Sequence, residues 1–218
     1  MAIIFPLSIA ALADKLPIES VDWKLMEQQE LSGLGSGEVL AADLGPRLWE
    51  AQAQLGQTYN DDAAELQALF ETLDGAINPF YLYDPRKPFP RSDPTGAILG
   101  ATKPKISSIG SNMKSMSLEA LPDGYVLSVG DYLAFDYGTN PVRRALHRIC
   151  EAATANSSGV TPVFEVRPHV RPGATVGTEV MLKKPSAKVI LIPKSFSAPS
   201  AGALTSTISF QVRQTLSQ

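Results

Sequence analysis

Cysteine and histidine are the scarcest reactive residues in this chain, which holds one thiol, Cys150, and two imidazoles, His147 and His169. A single cysteine excludes an internal disulfide framework and the cysteine-rich zinc sites, and it fits synthesis in a reducing cytoplasm. Neither histidine belongs to an HExxH pair or to a histidine-carboxylate cluster at ligand spacing. A GxSxG elbow, a P-loop and a DxDxDG calcium loop are also missing. The glycine cluster Gly33-Leu34-Gly35-Ser36-Gly37 lacks the lysine and the following helix of a phosphate cradle, so it reads as a loop tip. Positive charge is in short supply as well. A formal net charge of -3 gives no basic field for a phosphate backbone, so nucleic-acid binding is not expected. No stretch approaches the roughly 20 apolar residues of a membrane span. The start, residues 1–16, has no positive n-region and is interrupted by Pro6 and Asp14, so it reads as mature protein and the chain as soluble.

What is present is a chain of 218 residues, 44% of them hydrophobic, long enough for one substantial core or two small ones. Sixteen glycines and 17 prolines divide it into short segments that favour strands and turns. Segments 21–30 and 38–54 predict a hairpin with a mobile tip at 32–37. One segment, about 61–73, reads as helix: Asn60 or Asp61 can cap it, Leu66, Leu69, Phe70 and Leu73 share a face, and Asp74-Gly75 stops it. Phe80 to Tyr83 is aromatic and β-prone, and the prolines of 84–90 mark a boundary. A polar connector, 91–111, leads to strand candidates at 113–118, 125–129, 132–137, 142–153, 160–170 and 178–182, with Gly130-Asp131 as a tight turn. Segment 142–153 fits a short helix nearly as well, but its turn-rich flanks favour a strand. Strands at 188–192 and 205–215 finish the chain, the latter alternating Ile208, Phe210 and Val212 with polar residues. These last strands complete either the first domain or the second; an isolated strand needs an existing sheet, which favours the first. The expected fold is therefore mainly β: a β-sandwich domain with one α-helix, residues 1–90 with 185–218, and an inserted small β-barrel or sandwich module, residues 91–184.

Few side chains suggest chemistry. His147 shares a strand face with Ala145 and Ile149 and reads as half-buried, while His169 reads as exposed at a strand end. Asp61-Asp62 suits a helix N-terminus, and Asp131 with Asp136 suits turn and surface positions better than paired-carboxylate hydrolysis. Trp23 and Trp49 lie in strand candidates, where burial is the usual fate. Arg143, Arg144 and Arg148 read as a solvated face or as ion-pair partners across a subunit interface. No catalytic, cofactor-binding or metal-ligating residue emerges. An alternative reading, a carbohydrate-binding module for host-surface attachment, would use exposed aromatics such as Tyr132 or Tyr137. An envelope hydrolase would depend on His147 or Asp131.

Two blocks carry a resemblance. The first runs from Gly45-Pro46-Arg47-Leu48-Trp49-Glu50 through the helix to Leu73-Asp74-Gly75, Phe80, Asp84-Pro85-Arg86 and Pro90. The second runs from Leu118-Glu119-Ala120-Leu121-Pro122-Asp123-Gly124 through Leu127 to Leu133, Leu146 to Ile149, Gly159, Val166-Arg167-Pro168 and Arg171-Pro172 to Lys184-Pro185-Ser186-Ala187-Lys188-Val189. In order and spacing they resemble the distal tail proteins of siphophages and gene-transfer particles, and the resemblance extends to neighbouring tip and hub subunits. It implies a non-enzymatic virion protein at the tail tip. Its first domain would form a homo-oligomeric ring, a hexamer in that family, joining the tail tube protein to hub, baseplate and fibre proteins. It implies no catalytic residues, no cofactor and no membrane insertion.

Overall fold

The structure, a computed structural model, describes residues 3–217; Met1, Ala2 and Gln218, at the outer ends of the first expected domain, lie outside the described residues. It is mainly β with one α-helix, as the short segments predict. After a single turn of 3-10 helix at Ala13–Lys15, β1 (Ile18–Leu25), β2 (Gln29–Gly33), β3 (Val39–Asp43) and β4 (Trp49–Leu55) form the expected hairpin. Each of its arms is broken: β1 pairs with β4, and β2 pairs with β3 beyond a gap that contains Pro46, which has no N–H to donate to a ladder.

β5 (Thr58–Tyr59) leads straight into α1 (Asn60–Glu71), which buries Ala63, Leu66 and Phe70 along one face. The cap differs from expectation. Tyr59 stands at the N-cap position and makes no side-chain cap bond. Asn60 is drawn away to the 203–206 segment, where its Nδ2 donates to the Ala203 carbonyl at 3.1 Å and its Oδ1 accepts from Ser206 Oγ at 2.8 Å. Asp61 and Asp62 still lie in the first turn, where the helix dipole favours them. Asp74 and Gly75, at φ of 50° and 68°, turn the chain away into β6 (Phe80–Tyr83).

The segment 91–111 is not all connector, because β7 (Lys105–Ile109) lies within it. Its strand signal is weakened by the two serines between Ile106 and Ile109 and by a register irregularity at Ile106/Ser108. Then follow β8 (Ser115–Glu119), β9 (Val126–Leu127), β10 (Tyr132–Tyr137), β11 (Arg143–Ile149), β12 (Ala153–Thr154), β13 (Phe164–Arg167) and β14 (Val180–Met181). The ambiguous 142–153 segment is thus strand. β15 (Ser186–Leu191) precedes β16 (Thr205–Ser206) and β17 (Ser209–Gln214), two elements where one was expected. They separate because β16 pairs with β5 whereas β17 enters the sheet between β4 and β15.

Two sheets organise the molecule. The first, in the order β1-β4-β17-β15-β6, is antiparallel throughout; the chain leaves it after β6 and returns at β15. Along β4, Trp49, Ala51, Ala53 and Leu55 point into the core while Gln52 and Gln54 face water, the period-two pattern of a sheet with one buried face. That face packs on α1 and on Leu7, Leu12 and Leu16. The second sheet, in the order β14-β10-β11-β13-β8-β7, curls toward a barrel. Its edges meet through Val180 N–H to Pro104 O (2.8 Å), Gly177 N–H to Ile106 O (2.8 Å) and Ile106 N–H to Thr178 O (3.0 Å). β10 is buried on both sides: Leu133, Phe135 and Tyr137 fill the barrel, and Tyr132 and Ala134 join the core of the first sheet.

Candidate functional site

Each residue singled out in the sequence has a definite place. His147 is 1% exposed, its ring stacked on Phe135 at 5.3 Å and 16°. Its Nδ1–H donates to the Pro168 carbonyl at 2.8 Å, and Nε2 has no partner. Burial holds its pKa down at about 4, against the bond to Pro168 and with help from Arg171, so the ring is neutral at physiological pH. It is more deeply buried than its strand position suggested. His169 is exposed, as expected, and its pKa is lowered by partial burial and the nearby charges of Lys114, Arg167 and Arg47.

Asp131 is not a surface turn residue, being 1% exposed. Its oxygens accept the N–H of Arg91 and of Ser128 at 3.1 Å, with Lys87 Nζ at 3.5 Å, so the carboxylate ties the start of the middle segment to the β9–β10 turn. Asp136 instead pairs with Arg144. The two carboxylates serve different partners and share no site. Trp23 and Trp49 are core residues with ring centroids 6.3 Å apart. Tyr132 and Tyr137 are 4% and 5% exposed, so neither ring is available to stack on a sugar. Among the described residues, no group of three or more His, Cys, Asp or Glu comes together as a metal centre. No helix there is long and apolar enough to cross a membrane.

The arginine run departs most from expectation. Arg143, Arg144 and Arg148 do not form a freely solvated face; within the chain they bind the two sheets together. Arg144 donates to both oxygens of Asp136 at 2.7 and 2.8 Å, reaches Ser186 Oγ at 3.2 Å and lies 4.0 Å over the Tyr81 ring. Arg148 lies 5.1 Å over both Trp49 and Tyr132 and bonds the tyrosine hydroxyl. Trp49 Nε1 donates to the Leu146 carbonyl at 2.7 Å, and Gln214 accepts from the Trp49 amide while donating to the Arg144 carbonyl. Arg144, Arg148, Trp49 and Gln214 thus gain polar partners as the apolar bodies around them are buried.

Sequence reasoning missed Asp93, which is 1% exposed and accepts the N–H of Leu99 at 2.9 Å and of Ile98 at 3.1 Å. The signal was present in Asp93-Pro94-Thr95-Gly96, a turn sequence whose leading aspartate caps its own loop.

The most exposed part of the fold is the β2–β3 arm. All ten of its strand residues are exposed, and β2 and β3 pair only with each other. The register sets Leu31 and Val39 on one face and Leu40 on the other, at 67%, 65% and 58% exposure. The 33–37 cluster forms its tip, closed by Leu34 N–H to Glu38 O and Gly37 N–H to Leu34 O. No protein-family model matches the chain, and no curated protein matches it.

Proposed function

We propose that this chain is a structural subunit of a phage tail tip, a distal-tail-like protein that assembles with copies of itself into a closed ring between tail tube and hub. The observation that carries the reading is the β2–β3 arm. A two-stranded hairpin with no third strand and no covered face is marginal in water. This one also presents Leu31, Val39 and Leu40 to solvent and leaves both outer strand edges unpaired. A neighbouring copy would cover the leucines and supply the missing ladder partner. An arm received by a different surface of the next copy makes a heterologous contact, the kind that builds a ring when its rotation closes. The two blocks of sequence that resemble distal tail proteins support the location, and the structural roles of Asp131, which ties two loops together, and of Asp136, which pairs with Arg144, suit a building block.

Light scattering and negative-stain microscopy test this. The wild-type chain is expected to form closed rings, and Leu31→Asp with Leu40→Asp, one change on each face of the arm, to give monomers with unchanged circular dichroism. Wild-type protein that stays monomeric at high concentration, alone and with a tail tube protein, would sink the reading.

A further inference from the structure

The seam between the sheets opens at one end into a cleft of about 650 Å³, a size that takes a ligand larger than a simple ion. Arg143, Arg171 and Arg213 line it, with Leu48 and Ile190 as apolar surface, and no Asp or Glu is among the lining residues. In a chain with net charge -3 this is a local excess of positive charge. Arg213 is held by Glu50, Nε to Oε1 at 3.2 Å, in a geometry short of a hydrogen bond. The other two guanidiniums have only main-chain acceptors: Arg143 Nε donates to the Leu216 carbonyl at 2.8 Å and Arg171 to the Arg47 carbonyl at 2.9 Å. Neither has a carboxylate partner among the described residues. Burial works against the charge of Arg171, so it stands uncompensated where an anion would be most valuable.

A second observation points the same way. Tyr137 also lines the cleft, and its hydroxyl is buried without a hydrogen-bond partner, although nearly all buried polar groups have one. Arg143 and Arg171 both act electrostatically on this phenol.

We propose that this cleft is a binding site for a carboxylate, held between the Arg143 and Arg171 guanidiniums, with an apolar body attached that rests on Leu48 and Ile190. Guanidinium forks match the two oxygens of a carboxylate, and the Tyr137 hydroxyl has one donor left to give. The source is either an acidic segment of a partner polypeptide or a free organic acid. The site stands apart from the assembly reading, because the β2–β3 arm is not part of it.

Calorimetric titration of the full chain, with nitrogen NMR of the arginine Nε resonances, decides it. The probes are a short Glu- and Leu-containing peptide, the same peptide with Gln for Glu, and sodium succinate. Saturable binding of the Glu peptide but not the Gln peptide, with shifts at Arg143 and Arg171, is the expected result. Arg143→Gln and Arg171→Gln should each weaken it by about tenfold or more, the scale of one hydrogen bond to a charged group. Tyr137→Phe, which removes an atom that bonds nothing in the free protein, keeps the fold and should also weaken binding. Succinate binding as tightly as the peptide assigns a small acid; peptide alone assigns a partner chain. The site is refuted if neither carboxylate moves the Arg143 and Arg171 resonances, or if the Gln peptide binds equally well.

Discussion

At the scale of single residues, His147 has the most measurable consequence. Its folded pKa, about 4, lies below the ordinary 6.5 because burial disfavours the imidazolium. The unfolded chain therefore takes up this proton at higher pH than the folded one. The contribution to stability is complete above about pH 6.5 and is lost as the pH falls from there through about 4. Over the whole window it is worth about 3 kcal/mol. Thermal melts between neutral and acid pH should show a smaller acid-induced fall for His147→Leu than for wild type; parallel curves would show that the ring titrates normally. How much a residue revealed of itself in the sequence depended on whether its fate was local. Trp49 could be assigned to the core from its strand alone. That its N–H meets the Leu146 carbonyl could not, since the partner is 97 residues away and on the other sheet. Arg144 and Arg148 were hard to read for the same reason: besides the nearby Asp136 and Tyr132, their partners Tyr81, Ser186 and Trp49 come from distant segments, which a local run does not show.

Among the elements, α1 was legible because four apolar residues at helical spacing need no knowledge of what they face. Its target is now specific. The Phe70 ring lies 4.8 Å from Phe210, 4.9 Å from Phe196 and 6.3 Å from Phe80, so one side chain joins the helix to β17, β6 and the 192–204 loop. Phe70→Ala should cost about 3–5 kcal/mol, measured by urea unfolding; a loss under 1 kcal/mol would mean the helix is held mainly elsewhere. β7 was illegible at the same scale. Only Ile106 of its residues is fully buried, and a bulge interrupts the alternation that would have announced it. The hairpin was visible, its break was not: the turn cluster at 33–37 predicted where the chain reverses, whereas the irregular stretch at 26–28, outside either ladder, reflects β1 and β4 joining a larger sheet that β2 and β3 never reach.

For the molecule as a whole, the cores of the two sheets are not independent. Tyr132, Ala134 and Leu146 belong by sequence to the middle segment and by packing to the first core. We expect one cooperative thermal transition, with calorimetric and van't Hoff enthalpies in agreement. Two resolved transitions would show that the seam fails to couple the sheets. The mainly β character of both was readable from turn spacing and alternation. The seam was not, because β10 carries one pattern for each neighbour and their superposition, Asp136 apart, reads as a continuous apolar run. That seam also contains an optical property of the protein. Both tryptophans of the chain lie within 6.3 Å of each other, one of them beneath the Arg148 guanidinium and edge-on to Tyr132. Tryptophan emission therefore comes from this one place, and its wavelength and intensity report, without any label, whether the two sheets are in contact or have parted.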